Sequence, residues 1–136
     1  MSLILDTSFL IALNDAGDFN HNNANSLKTS IKDKEFGQCY ISDYIFDELM
    51  TLMRAKSINH SKIKDIGDSL LADKTIELLK VDEEMFLQSW DLFKKSSNIS
   101  FTDCTTVILS EEFGIKNIAS FDSGFGRFKY MKRVQI

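Results

Sequence analysis

An apolar triplet, Leu3-Ile4-Leu5, runs straight into a single acid, Asp6. Thr7 and Ser8 follow, and then a second apolar run from Phe9 to Leu13. The triplet reads as a short buried strand, and the segment opened by the hydroxyl residues reads as a helix. A strand that passes through an acid directly into a helix constrains the fold strongly. In open α/β sheets, ligands bind outside the carboxyl ends of the strands. Asp6 is predicted to stand at such an end.

The same alternation of apolar runs and helical patterns recurs along the chain, the mark of βαβ units and a mostly parallel sheet. Residues 20–34 are polar with a thin stripe of Ala24, Leu27 and Ile31, which suits an exposed helix. Cys39-Tyr40-Ile41 is a second strand, and Ser42 and Asp43 cap a helix reaching about Lys56. Residues 60–72 form another helix, Thr75 to Val81 a third strand, and Asp82 caps the helix that follows. On that helix Phe86, Trp90 and Phe93 fall at i, i+4 and i+7, which predicts a core stripe. Ser100 opens a helix that stops at Gly114. Asn117 to Phe121 is a fourth strand ending in Asp122, residues 123–126 a turn or short helix, and Tyr130 to Ile136 an edge strand. The expected class is therefore α/β, with a central, mostly parallel sheet of about four to five short strands flanked by helices on both faces.

A chain of 136 residues without proline has the length of one domain and no rigid linker to divide it, so residues 1–136 are expected to form a single unit. The net charge of −4 argues against a protein that coats nucleic acid by bulk charge. No apolar run approaches the ~20 residues of a membrane span, and no basic stretch precedes an apolar one at the start. With Cys39 and Cys104 the only cysteines, and in no metal-binding spacing, the expected setting is a reducing cytoplasm without membrane attachment.

Asp6 and Asp122 each follow a predicted strand, so parallel strands would bring both to one edge. Glu48 is placed by helical geometry. With Tyr44 at 0° and about 100° per residue, Glu48 falls near 40° and Asp47 near 300°. Ile45, Leu49 and Met53 lie between about 100° and 180° on the same wheel. Glu48 is thus predicted to face inward and Asp47 to face water. Asp103 lies in Ser100-Phe101-Thr102-Asp103, where it serves either as part of a capping box or as an acid at a helix N-terminus. Two unit charges ~4 Å apart repel by about 4 kcal/mol at an effective dielectric of 20. Converging carboxylates must therefore stay partly protonated or hold a hard divalent cation, for which Mg²⁺ or Mn²⁺ is suited. His21 and His60 belong to no pattern with these acids, which argues against zinc.

The ordered set Leu5-Asp6-Thr7-Ser8, Ile41-Ser42-Asp43 followed by Glu48, Ser100-Phe101-Thr102-Asp103-Cys104, and Phe121-Asp122 resembles the PIN-domain ribonucleases. More narrowly, it resembles the VapC-type toxins of toxin–antitoxin pairs, and the resemblance covers essentially the whole chain. It implies a single PIN-like domain and an Mg²⁺- or Mn²⁺-dependent endoribonuclease. Such an enzyme cleaves RNA phosphodiester bonds with a metal-activated water and leaves a 5′-phosphate and a 3′-hydroxyl. Asp6, Glu48, Asp103 and Asp122 match the family's acidic quartet, as metal ligands and catalytic residues. Some members carry a further acid shortly after the fourth, where this chain has Ser123, Gly124 and Gly126.

Thr7, Ser8 and Thr102 are supporting hydroxyls that either hold metal waters or phosphate, or cap helices. Arg127, Lys129, Lys132 and Arg133 are candidate RNA phosphate contacts, or else guards of an edge strand. An RNA substrate, a cognate antitoxin and a homodimer are the implied partners. Met50, Met53, Ile58 and Ile63 could line an antitoxin groove or a dimer face, or belong to the core. Two other readings stand beside the nuclease: a PIN-like scaffold without catalysis, and a Mg²⁺-binding receiver-type phosphoacceptor domain. The second has only the single Asp6 where a doublet of acids would be expected.

Overall fold

The structure is a computed structural model describing residues 1–128 and 131–134, with the side chain of Arg127 outside the description. Among the described residues five strands form one parallel sheet: β1 (Ser2–Leu5), β2 (Gln38–Ser42), β3 (Ile76–Leu79), β4 (Asn117–Ala119) and β5 (Lys132–Arg133). Their order is β3-β2-β1-β4-β5. Six helices connect them: α1 (Thr7–Asn14), α2 (His21–Lys32), α3 (Asp43–Ala55), α4 (His60–Ala72), α5 (Glu83–Lys95) and α6 (Phe101–Phe113), with a 3-10 helix over Ser123–Arg127. The α/β class and parallel sheet expected from the sequence are what is found.

Successive residues of a strand point to opposite faces. Leu3, Ile4 and Leu5 are all buried, so helices cover both faces of the central strand. The strand order grows outward from β1 in one direction and then reverses to β4. The crevice between the carboxyl ends of β1 and β4 is therefore the topological switch point, the usual ligand site of an open α/β sheet.

Sequence signals set the helix ends. Ser42 Oγ accepts from Ile45 N at 3.0 Å, Asp82 Oδ1 from Met85 N at 2.8 Å, and Ser100 Oγ from Asp103 N at 3.0 Å. Asp43 acts differently, because its Oδ1 accepts from the N–H of Tyr44 and of Val81 and so ties the start of α3 to the loop after β3. Gly114 takes the left-handed conformation at φ 68° and ends α6, as its position predicts. Gly37, which leads into β2, has φ 77°, and a Cβ there would lie 1.7 Å from the Met1 carbonyl oxygen. Only glycine fits this approach of two backbones.

Two expectations need correction. The stripe of Phe86, Trp90 and Phe93 is not core: Phe86 is 42% exposed and Trp90 46%. The buried line of α5 runs through Met85 and Ser89, and Ser89 satisfies itself by donating to the Met85 carbonyl at 2.6 Å. The aromatic rings form a surface cluster instead, with Phe86 5.3 Å and Phe93 5.9 Å from Phe101 between ring centroids. Strand β4 is also shorter than expected, ending at Ala119 rather than Phe121. Phe121 extends the apolar pattern because it stacks on Phe9 at 6.4 Å, outside the sheet.

Of the apolar residues left open between core and surface, Met53 and Ile63 are buried in the core, while Met50 and Ile58 pack at its border. Met50, Ile63, Phe46 and Leu71 line a groove of about 520 Å³ between α3 and α4. Cys39 and Cys104 are free and buried. Among the described residues, no helix is long and apolar enough to cross a membrane.

Candidate active site

Asp6 follows β1 directly. Its backbone N–H donates to the Ala119 carbonyl at 3.1 Å, and its own carbonyl accepts from Leu10 N to start α1. It holds the N-cap position of α1, yet its side chain makes no capping bond. Its Oδ2 accepts from Ser120 Oγ at 2.7 Å and from Ser8 Oγ at 3.0 Å. Its Oδ1 is buried and has no partner among the described residues, and the neighbouring Thr7 Oγ1 is in the same condition. An unpartnered buried carboxylate oxygen is costly. Its position at the β1–β4 crevice marks a place for something that supplies positive charge.

Burial pushes the Asp6 carboxyl above its usual range, and the hydrogen bonds from Ser120, Ser8 and the Thr7 backbone oppose that rise. Asp103 enters from the first turn of α6 and is only 7% exposed. Burial raises its carboxyl most; the charge of Asp6, a hydrogen bond with Asp122, and the charges of Asp122 and Glu48 add to it. Together they push it from 3.8 up to about 8. The capping bond is made by the Asp103 backbone to Ser100, which leaves the carboxyl free for the cluster.

Glu48 is half-buried on α3 and Asp47 is exposed, so the helical wheel separates them in the expected direction. Glu48 sits on the rim rather than inside. Ile45, Leu49 and Met53 are fully buried, whereas Leu52, on the same side of the wheel as Glu48, is 38% exposed. Its charge nevertheless reaches both Asp6 and Asp103. Asp122 lies three residues beyond β4 rather than at its end. One oxygen caps the 3-10 helix through Gly124 N at 2.8 Å, and the carboxyl also meets Asp103. Asp6 and Asp122 are thus near neighbours without being equivalent in register.

All four acids predicted from the sequence meet at the switch-point crevice. Among the described residues none of them pairs with a lysine, arginine or histidine. A salt-bridge partner for Glu48, the plain alternative, is not found there. Also among the described residues, no three His, Cys, Asp or Glu side chains are arranged so that they could together hold a metal ion as they stand. The donors are all oxygens and carry excess negative charge, one oxygen has no partner among the described residues, and the described contacts of both histidines lie elsewhere. This set fits Mg²⁺ or Mn²⁺.

The remaining candidates divide. Ser8 neither caps a helix nor stands free for a metal water: its hydroxyl donates to Asp6 and accepts from Phe121 N at 3.0 Å. Thr7 keeps a free hydroxyl, and Thr102 is half-buried at the start of α6. Lys132 pairs in register with Asn117, and Asn117 with Leu3. That puts Lys132 three residues, or roughly 10 Å, below the level of Asp6. Lys132 and Arg133 are exposed on the outer strand and do not rim the acids. Lys129 and the side chain of Arg127 lie outside the described residues. His21 bonds the Ala12 carbonyl at 2.7 Å and exposed His60 contacts Arg54, so the described contacts of both rings lie away from the acids.

Sequence reasoning misses Ser120. Leu5 pairs with Ala119, so Ser120 is the residue in register with Asp6. The signal is present in the Ser120-Phe121-Asp122 order, but reading it requires knowing where β4 ends.

The PIN domain family model matches residues 3–129. The chain belongs to the PIN-domain family. This PIN domain is 26% identical over 123 residues to the 23S rRNA-specific endonuclease VapC20 of Mycobacterium tuberculosis, covering 90% of the chain and 91% of that protein. It is 22% identical over 128 residues to a VapC ribonuclease of Archaeoglobus fulgidus, covering 92% and 80%. Its fold matches the crystal structure of M. tuberculosis VapC20, a sarcin-ricin loop cleaving toxin, with a TM-score of 0.82 at 24% identity, covering 92% and 93% of the two chains. It also matches VapBC2 of Rickettsia felis bound to promoter DNA (TM-score 0.70, 15% identity, 98% of both chains). FitAcB of Neisseria gonorrhoeae gives 0.67 at 17% identity, covering 98% and 96%. The expected PIN fold and the likeness to VapC ribonucleases are therefore what is found.

Proposed function

We propose that this PIN domain is a divalent-metal-dependent endoribonuclease acting as the toxin of a VapBC-type pair. The observation that carries the reading is the bare, buried Oδ1 of Asp6 beside the raised carboxyl of Asp103, within a cluster of acids at the switch point. Similarity to VapC ribonucleases supports RNA as the substrate class.

In this reading Asp6 and Asp103 hold the main Mg²⁺ or Mn²⁺, and Glu48 and Asp122 complete its surroundings, bind a second ion or orient the attacking water. A bound divalent cation lowers the pKa of its water toward ~7 and offsets charge on the phosphoryl oxygens. The chain supplies placement. Asp6 is fixed at the end of a central strand, and Asp103 at a helix N-terminus whose dipole favours negative charge. The Thr7 and Thr102 hydroxyls are donors available to a metal water or a phosphate oxygen. Lys132 and Arg133, with Arg127 and Lys129, are left as long-range phosphate contacts, with the guarded-edge reading beside them.

The same proposal includes a cognate antitoxin, a homodimer and a cytoplasmic setting. The likeness to the VapBC2 and FitAcB complexes supports the antitoxin. The test is incubation of purified protein with structured RNA in Mg²⁺ or Mn²⁺, followed by end-group mapping. Discrete fragments with 5′-phosphates, abolished by a chelator, are expected. Cleavage indifferent to the chelator would contradict metal dependence, and no cleavage of any RNA with metal demonstrably bound would favour the scaffold.

A further inference from the structure

We propose that Ser120, with Ser8, is a positioning residue that holds one oxygen of Asp6 and thereby presents the other, alone, to a divalent cation. This rests on the metal-site reading above. Both hydroxyls converge on Oδ2, Ser120 at 2.7 Å and Ser8 at 3.0 Å, and among the described residues no donor reaches Oδ1. The two serine oxygens are 3.1 Å apart and could bond each other. A hydroxyl has one proton to give. When each serine gives its proton to Asp6, neither has one left for its neighbour.

Each serine oxygen is in turn fixed by a backbone N–H. Phe121 N donates to Ser8 Oγ at 3.0 Å, and Asp122 N donates to Ser120 Oγ at 3.0 Å. With these N–H groups pointing at the oxygens, the hydroxyl protons are directed toward the carboxylate. The result is a pair of hydroxyl donors aimed at the same oxygen, Oδ2.

The clamp also links two of the acids. Ser120 contacts the Asp6 carboxylate and the Asp122 backbone through the same oxygen. Ser8 and Ser120 come from opposite ends of the chain and are joined at the β1–β4 seam, where Leu5 is in register with Ala119. Any shift of β4 against β1 would move Asp122 and rotate Asp6 together. Partners that orient a metal ligand typically contribute 10–100-fold in metal affinity when removed.

The test is calorimetric titration of Mn²⁺ into wild type, Ser120→Ala, Ser120→Thr and Ser8→Ala, each first shown to melt cooperatively. Ser120→Ala is expected to bind Mn²⁺ about 10–100-fold more weakly. Ser120→Thr, which keeps the hydroxyl, should stay within a few-fold of wild type, and Ser8→Ala should fall between. Wild-type binding with unchanged affinity in Ser120→Ala and Ser8→Ala overturns the positioning role and leaves the metal site intact. Absence of Mn²⁺ binding by wild type overturns the metal site itself. Should Ser120→Ala not fold, Ser8→Ala alone decides: weakened binding supports the clamp, and wild-type affinity overturns it.

Discussion

Replacing Asp6 by asparagine is expected to lower RNA cleavage by on the order of 10³-fold or more while leaving the fold intact. The side-chain carbonyl of an asparagine can still accept from Ser120 and Ser8, as Oδ2 does now. Its NH₂ group then occupies the place of Oδ1, the buried oxygen without a partner. A donor there repels a cation instead of ligating it. If the asparagine flips, the clamp is lost instead, so neither orientation restores both functions. Asp6 is buried among other acids, so removing its charge relieves desolvation and repulsion. The metal-free variant should melt at or above wild type. Activity near wild type, with Mn²⁺ binding retained, would show that Asp6 is structural.

The second large effect is a linkage between pH, metal and stability. Asp103 is pushed up to about 8 in the folded protein from an ordinary value of 3.8. Between those values the native state binds more protons than the unfolded state, so stability falls as pH rises. Asp6 shifts in the same direction. In chelator, the melting temperature should therefore decline between about pH 5 and pH 8. A divalent cation takes the place of the proton, and metal affinity should rise over the same window. At a hundredfold excess over Kd, binding contributes about 2.7 kcal/mol, roughly a 10 °C rise for a domain of this size. The gap between metal and chelator melting curves should widen with pH, and Asp103→Asn should flatten the chelator curve. A pH-independent gap would contradict the buried carboxylate cluster.

Much of this site is legible in the sequence because its acids sit where local rules are strong. Asp6 ends an unbroken apolar triplet, Ser100 and Gly114 bracket α6, and the helical wheel separates Glu48 from Asp47. What is not legible depends on packing between elements. A period of apolar residues marks one face of α5, yet the periodicity alone does not say whether that face meets the core. There the small Ser89 is buried while Phe86 and Trp90 remain largely open. Phe121 makes β4 look longer than it is, and that hides Ser120, whose role exists only in the β1–β4 register. The same register separates Lys132 from the acids, although in sequence it follows Asp122 closely.

Asp6, through its free oxygen, is expected to share a divalent cation with Asp103, and the nuclease reading stands or falls on that contact. Crystals soaked in Mn²⁺ and measured for anomalous scattering test it most directly. A peak at ~2.0–2.3 Å from Asp6 Oδ1 and an Asp103 oxygen, in the crevice between β1 and β4, is the expected result. Mn²⁺ bound elsewhere on the protein, with Asp6 Oδ1 still unliganded at saturating metal, would contradict it.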